Sequence, residues 1–238
     1  MKQWGAPGPS RPTESSDAAP VQGNPMRQLL LDFTQAPAPT FANFVHGGNA
    51  ELACALEAAV KGELAERVIY MWGESGAGKT HLLKAFAAAS EGRVRYVPAR
   101  DFVDAGAAPS FALDDVEKLS DEEQASLFNA FNENSFRLLL VSAGAAPRDV
   151  AIRRDLATRL ATGLTYRVVA LTDEQKRTAL GAHAKARGFA IPDEVTGYLL
   201  TQARRDMGSL IAALDSLDRF SLETGRPVTV PLLKAALL

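Results

Sequence analysis

The residues best suited to chemistry form one glycine-rich run. The run consists of Gly73, Glu74, Ser75, Gly76, Ala77, Gly78, Lys79 and Thr80, with His81 directly after it. It follows an apolar stretch at 68–72 and opens a segment with a helical pattern. Glycines at these spacings let backbone N–H groups turn inward around a polyphosphate, and the next helix adds the positive end of its dipole. Lys79 is then placed to neutralise phosphate oxygens and Thr80 to ligate Mg²⁺. The run predicts an ATP- or ADP-binding loop between a strand and a helix.

Two acids end an apolar strand downstream of this loop. Asp114 and Asp115 follow Phe111-Ala112-Leu113 directly. In phosphoryl-transfer proteins the first such acid supports Mg²⁺, and the second orients the attacking water. Without the loop, capping or loop acids would be the default interpretation. With the loop present, the pair predicts a potential hydrolase.

Ser142 is a third candidate, at the end of the apolar run 138–141. A polar residue at this place would face the γ-phosphate between the loop and the acids. An ordinary serine at a strand end fits the pattern equally well, so both interpretations stay open.

The elements that position these residues alternate between strand and helix. Short apolar segments predict strands at 67–72, 94–98, 111–113, 137–141 and 166–170. Helical patterns lie at 49–61, 79–89 and 121–133, and the last begins with the capping-box pair Ser120 and Glu123. This alternation predicts a parallel sheet covered on both faces, with the loop and the acids at its carboxyl edge.

From Thr172 onwards the pattern becomes all helical. Thr172 and Gln175 form a second capping box, Gly188 marks the end of that helix, and Pro192 stands near the start of the next. The predicted organisation is therefore an α/β nucleotide-binding domain at 41–171, followed by a small helical lid at 172–238.

The amino-terminal part has a different composition. Residues 1–25 are rich in proline, glycine and serine, which predicts a disordered extension. Residues 26–40 are predicted to contain a docking peptide and a proline-rich linker. The peptide residues are Gln28, Leu29, Leu31 and Phe33, and they resemble the peptide by which many bacterial replication proteins bind the sliding clamp. A first β-strand of the domain is the alternative interpretation.

Composition narrows the class of protein. Hydrophobic residues make up 47% of the 238 residues, and the formal net charge of −2 gives no general attraction to nucleic acid or to an anionic membrane. Cys54 is the only cysteine, which excludes an internal disulfide and a cysteine-rich zinc site. The chain carries neither an apolar run of membrane-spanning length nor a signal-peptide pattern, so we expect a cytoplasmic protein without membrane contact.

Taken in order, these parts resemble the AAA+ family, and within it the replication initiator DnaA and the DnaA-homologous regulatory inactivator. The segment 40–45 is similar to the initiator's contact with the nucleotide base, which implies a cofactor-binding role for Phe44 and Val45. Asp155-Leu156-Ala157-Thr158-Arg159-Leu160 is similar to the arginine-finger segment, which implies that Arg159 acts on a neighbour's nucleotide. The implied fold is an AAA+ P-loop NTPase with a five-stranded parallel sheet and a helical lid.

The resemblance is closer to the inactivator than to the initiator. The initiator carries a DNA-reading domain after the lid, whereas this sequence stops at Leu238, and the inactivator carries a clamp-binding peptide where 28–33 lies. The implied partners are the sliding clamp of DNA polymerase III and DnaA itself, with DNA reached indirectly through the clamp. A homo-oligomer is also possible for this family, and the inactivator works in its ADP-bound form.

Two departures from the family weaken detection of a γ-phosphate. The lid arginine of the family aligns with Gly208, although Arg204 and Arg205 lie just before it. The acid that the initiator carries after its strand-end polar residue is replaced by Ala143-Gly144. We therefore expect stable ADP binding or weak intrinsic ATPase activity, rather than vigorous turnover.

Other interpretations remain open. Arg159 could be a surface arginine paired with Asp155 four residues earlier on a helix. The chain could be an autonomous ATPase of the helicase-loader type that uses its own acids. It could also be a DNA-binding adaptor that uses the basic doublets at 153–154 and 204–205.

Overall fold

The computed structural model describes residues 38–104, 109–202 and 206–237. The predicted extension at 1–25, the docking peptide at 28–33 and the doublet Arg204-Arg205 lie outside these ranges. The predictions made for them stay predictions.

The centre of the fold is one five-stranded sheet, as the alternating pattern predicts. Its strands are β1 Val68–Trp72, β2 Arg95–Pro98, β3 Ser110–Asp114, β4 Leu138–Ala143 and β5 Leu164–Arg167. They lie in the order β2-β3-β4-β1-β5, and every neighbouring pair is parallel. The register places Met71 beside Ser142 and Pro98 beside Asp114, so the ends of four strands meet at one edge.

The predicted bounds of the last strand were wrong, because β5 ends at Arg167 and not at 170. Val168 N donates to Trp72 O at 2.7 Å, which is where β1 ends. The side chain of Asn49 then forms hydrogen bonds with both backbone groups of Val169. Asn49 Nδ2 donates to Val169 O at 2.9 Å, and Val169 N donates to Asn49 Oδ1 at 2.7 Å. At Val169, the side chain of Asn49 therefore replaces a neighbouring strand as the hydrogen-bond partner of the backbone.

Alternating residues of the strands are buried in two separate hydrophobic cores, one on each face of the sheet. Ile69 and Met71 pack with helices α1 Ala50–Lys61 and α2 Lys79–Ala89 on one face. Val68 and Tyr70 point to the other face, which is covered by α3 Asp121–Asn132 and α4 Arg154–Leu160. Short 3₁₀ turns at Ala99–Asp101 and Val116–Lys118 follow β2 and β3. The sheet is thus covered on both faces, as expected for continuous apolar strands.

In the described part of the chain after the sheet, four helices have a core of their own. They are α5 Asp173–Ala186, α6 Asp193–Gln202, α7 Met207–Thr224 and α8 Val230–Leu237. Leu180, Leu199, Leu214 and Leu233 are among the buried residues that join them. No helix within the described ranges is both long enough and apolar enough to span a bilayer.

The predicted helix-start signals are confirmed at both capping boxes. Ser120 Oγ accepts from Glu123 N while Glu123 Oε2 accepts from Ser120 N, and the pair Thr172 and Gln175 makes the same two contacts. Gly188 follows α5 with φ +87°, a left-handed conformation that favours glycine at a helix end. Local sequence therefore fixed where these helices begin and where α5 ends.

Candidate functional site

The glycine-rich loop joins β1 to α2, and its shape depends on glycine at two places. A Cβ atom on Gly73 would lie 2.4 Å from Val168 O. Because Val168 O is a backbone atom, rotation of a side chain could not relieve this contact. Gly78 has φ +106°, and a Cβ there would lie 2.9 Å from Cε2 of Phe44. Close approach of other chain segments, together with backbone conformation, thus requires these two glycines.

Lys79 is the first residue of α2 and is buried inside the loop. Its Nζ donates to Gly73 O at 2.7 Å and to Glu74 O at 3.0 Å. Between these residues, Glu74, Ser75 and Gly76 are exposed while Ala77 is buried. The loop therefore curls around its own ammonium group, and its exposed backbone lies at the amino end of α2, where an anion is favoured.

Asp114 is the centre of the polar cluster beside the loop. This carboxylate is only 5% exposed, and three hydroxyl groups from three different elements donate to it. Thr80 Oγ1 donates to Asp114 Oδ2 at 2.7 Å, Tyr96 OH donates to the same oxygen at 2.8 Å, and Ser142 Oγ donates to Asp114 Oδ1. The fold thus brings together Thr80 and Asp114, the two residues predicted to serve a metal ion.

The chemistry of this cluster fits Mg²⁺. A hydroxyl and a carboxylate are hard oxygen ligands, and Mg²⁺ is usually held by one or two carboxylates together with phosphate oxygens and water. Among the described residues there is no group of three or more His, Cys, Asp or Glu side chains that could hold a metal ion alone. A divalent ion at Thr80 and Asp114 would therefore depend on a nucleotide for further ligands.

Asp115 and Ser142 are held by each other and by the neighbouring turn. Asp115 adopts φ +59°, its N donates to Ser142 Oγ at 2.9 Å, and its carboxylate pairs with Lys118 Nζ at 2.6 Å. The hydrogen bond and the charge of Asp115 raise the pKa of Lys118. Ser142 is fully buried and links the two acids, so the sheet does orient the acid pair. A contact of Ser142 with a γ-phosphate, and a water-orienting role for Asp115, stay predictions.

The segment predicted to face the nucleotide base lies against the start of α2. The ring of Phe44 is 5.6 Å from the ring of His81 and 5.8 Å from that of His46, measured between centroids. His81 Nε2 lies 3.0 Å from Thr40 O, and Val45 is half-buried beside Phe44. Phe44 and His81 are thus brought beside the loop, while base recognition by any of these residues stays a prediction.

Arg159 lies on α4, on the face of the sheet opposite to α2. The helix is anchored by the fully buried Leu156 and Leu160, whereas Arg159 is exposed and forms no ion pair within the described part of the chain. The alternative interpretation, a pair with Asp155, is wrong, because Asp155 Oδ2 accepts from Arg153 NH2 at 2.7 Å. That hydrogen bond is the main cause that lowers the pKa of Asp155.

Both positions at which the sequence departs from the family lie in described parts of the chain. Gly208 lies in the first turn of α7, where Asp206 caps the helix by accepting from Ser209 N at 2.9 Å. The missing acid after Ser142 has a spatial counterpart, because Glu117 Oε1 accepts from Gly144 N at 2.8 Å. The second oxygen of Glu117 is buried and has no hydrogen-bond partner among the described residues. A carboxylate thus reaches this strand end from a different element.

Sequence reasoning missed Tyr96, Glu117 and Lys118 as parts of this site. Lys118 stands three residues after Asp115, a spacing that could have suggested the pair. Tyr96 and Glu117 carried no such local signal, since their contacts depend on which strands are neighbours.

Two family models match separate segments of the chain, and one relative is similar over most of its length. The family model described as the bacterial DnaA ATPase domain matches residues 36–109, and the model described as the Hda lid domain matches residues 173–237. An uncharacterized protein of Haemophilus influenzae is 34% identical over 228 residues, which cover 89% of this chain and 98% of the relative.

Solved structures show the same fold at lower identity. Domain III of the Thermotoga maritima replication initiation protein DnaA superimposes with a TM-score of 0.68 at 22% identity, covering 84% of this chain and 96% of that domain. DnaA from Aquifex aeolicus bound to AMPPCP superimposes with a TM-score of 0.62 at 22% identity, covering 79% of this chain and 70% of that one. This chain spans 66% of the length of another solved structure, described as a DNA replication initiation factor, which is just under two thirds. The fold, the full-length relative and the two family models together show that the chain belongs to the DnaA-related AAA+ proteins.

Proposed function

We propose that this chain is a regulatory AAA+ protein that stimulates ATP hydrolysis on the initiator DnaA. In this proposal the chain holds ADP in its own loop and docks on the DNA polymerase sliding clamp through Gln28, Leu29, Leu31 and Phe33. Arg159 then enters the nucleotide site of DnaA as an arginine finger. Hydrolysis leaves DnaA in its inactive ADP form and so prevents renewed initiation of replication.

The chain's own pocket, formed by the loop from Gly73 to Thr80 together with Tyr96, Asp114 and Ser142, supports the nucleotide-binding part of this proposal. Lys79 lies within the loop, and Thr80 and Asp114 are in direct contact, which is the arrangement needed for a nucleotide phosphate and Mg²⁺. The lid position that would touch a γ-phosphate carries Gly208, which has no side chain to make that contact. A pocket of this kind favours retention of ADP over rapid turnover.

The observation that carries the proposal is the state of Arg159. Its guanidinium is exposed and has no ion-pair partner in the described chain, although Asp155 stands on the same short helix. An arginine supplied to a neighbour's site adds positive charge where negative charge spreads in the transition state, and is worth ~10³ to 10⁵ in rate. An arginine already paired within its own helix would first have to give up that pair.

The clamp and DnaA as partners are supported by resemblance alone. The peptide at 28–33 matches the clamp-binding pattern, and the Hda lid model matches the helical region. Because clamp binding and the finger are separable in the chain, each can be tested with its own variant.

The test is a reconstituted assay with ATP-bound DnaA, clamp loaded on DNA, and this chain with ADP, in which ATP hydrolysis is measured. We expect Arg159→Ala to lower the stimulation by ~10³. Arg154→Ala is the matched control, because Arg154 is an exposed arginine on the same helix, and it should leave stimulation unchanged. Full stimulation by Arg159→Ala would overturn the proposed role of Arg159 as an arginine finger.

Clamp docking is tested in the same assay with Gln28→Ala. We expect this change to remove the stimulation that depends on clamp-loaded DNA, while Gln35→Ala in the adjacent linker leaves it intact. Equal loss in both variants would mean that the segment acts through its length or composition rather than through a clamp-binding peptide.

An autonomous ATPase is the second candidate, because Thr80 already contacts Asp114 in the isolated chain, and Lys79 is held inside the loop by Gly73 O and Glu74 O. Rapid ATP turnover by the chain without DnaA, abolished by Asp114→Asn, would favour it. Slow turnover together with tight ADP binding would favour the regulatory role.

A further inference from the structure

Tyr96 is a residue of the pocket that neither the loop pattern nor the acidic strand predicts. It lies on β2, next to β3, and its OH donates to Asp114 Oδ2 at 2.8 Å. This is the same oxygen that accepts from Thr80 Oγ1 at 2.7 Å. Asp114 Oδ2 is therefore shared between two hydroxyl donors.

The two donors differ in what else they can do. Thr80 belongs to the first turn of α2, and its hydroxyl oxygen is a predicted Mg²⁺ ligand, so its contact with Asp114 has to coexist with that role. Tyr96 has no such second task in the pocket. Its hydrogen bond to Asp114 can thus fix the carboxylate independently of how Thr80 is engaged.

The surroundings of Tyr96 keep its ring in place. The ring packs in the core between the sheet and α2, and Lys84 Nζ stands 5.1 Å from its centroid. A phenol has an ordinary pKa of about 10, so its OH is available as a donor at neutral pH.

We propose that Tyr96 is a positioning residue of the Mg²⁺ site, which orients Asp114 through its hydroxyl group and thereby sets how tightly Mg²⁺ supports nucleotide binding. The inference rests on the proposed nucleotide site. Hydrogen-bond partners of metal ligands fix the orientation of those ligands, and their loss typically lowers metal affinity 10- to 100-fold.

The test measures ADP binding by calorimetry in EDTA and over a series of Mg²⁺ concentrations, for the unmodified chain and for Tyr96→Phe. We expect Tyr96→Phe to need about tenfold more Mg²⁺ for half of its effect on ADP affinity. Binding of ADP in EDTA should change less than twofold, which also reports that the variant is folded. Tyr166→Phe is the control, since Tyr166 packs in the same core and its OH has no hydrogen-bond partner within the described chain.

The possible results separate this role from others. An unchanged Mg²⁺ requirement in Tyr96→Phe overturns the inference, even if the variant is less stable, because the residue would then serve folding alone. An equal shift in Tyr166→Phe also overturns it, since the effect would come from the core. If Mg²⁺ has no influence on ADP binding by the unmodified chain, the metal site is wrong together with the inference. If the chain binds no ADP at all, the proposed nucleotide site itself fails.

Discussion

The pocket at the carboxyl edge of the sheet and the exposed face of α4 hold their polar groups in opposite ways. In the pocket, Lys79, Asp114 and Ser142 are buried, and each of them is hydrogen-bonded to other residues of the pocket. On α4, Arg159 is exposed and unpaired within the described chain, while the adjacent charges of Arg153 and Asp155 neutralise each other.

This difference suggests two kinds of function. A buried network keeps one geometry at low cost in reorganisation, which suits a site that retains a ligand. A free guanidinium has no internal bond to break before it contacts another molecule, which suits a group that acts on a partner. The following predictions test whether the pocket is as constrained, and α4 as independent, as this contrast requires.

The largest effect on stability is expected from Gly73→Ala. A Cβ at this position would meet Val168 O at 2.4 Å, and both backbones belong to the sheet edge, so we expect a loss of about 3 kcal/mol in the free energy of unfolding. Gly181→Ala is the control within α5, where a Cβ meets nothing within 4 Å, and it should add about 0.5–1 kcal/mol. Denaturant unfolding measures both, and a neutral Gly73→Ala would show that the loop can shift.

A smaller effect on stability is expected from one substitution in the pocket, which is compared with one substitution on α4. Ser142→Ala removes a donor to Asp114 and leaves the N–H of Asp115 without its acceptor, which should cost about 2 kcal/mol. Arg159→Ala should change the free energy of unfolding by less than about 0.5 kcal/mol, because an exposed unpaired side chain supports little. Similar losses in the two variants, measured by the same unfolding experiment, would remove the contrast.

The smallest effect concerns the charge beside Arg159. Arg153 lowers the pKa of Asp155, so the pair is present above the ordinary pKa of the carboxyl and is lost as the pH falls through the lowered value. In an NMR titration of the Asp155 carboxyl carbon, Arg153→Ala should raise this pKa towards its ordinary value, and Arg159→Ala should leave it unchanged. The reverse result would mean that Arg159 is paired in solution.

Much of the site could be predicted because its parts are short and contiguous. The loop from Gly73 to Thr80 reads directly from glycine spacing, and α2 begins at Lys79 and ends at Ala89 as its pattern indicates. The succession of strands and helices along the chain followed from apolar periodicity and two capping boxes. These signals act within one or two turns of chain, where sequence neighbours are also spatial neighbours.

Other parts of the site could not be predicted from such signals. Asn49 ends β5 by bonding Val169, and Tyr96 reaches Asp114 from another strand. Asp155 has three arginines within four residues along the chain, Arg153, Arg154 and Arg159, and the folded start of the helix pairs it with Arg153. In each case the partner is chosen by strand order or by local geometry that spacing alone leaves open.

The sequence by itself determined the nucleotide loop, the acidic strand, the helix starts and the family resemblance, because each is encoded in a few adjacent residues. Only the tertiary structure decided that three hydroxyl groups converge on Asp114, that Glu117 reaches Gly144, and that Arg159 has no ion-pair partner within the described chain. The physical reason is that hydrogen bonds between distant segments depend on how the sheet is ordered and how its faces are covered, which local patterns do not specify.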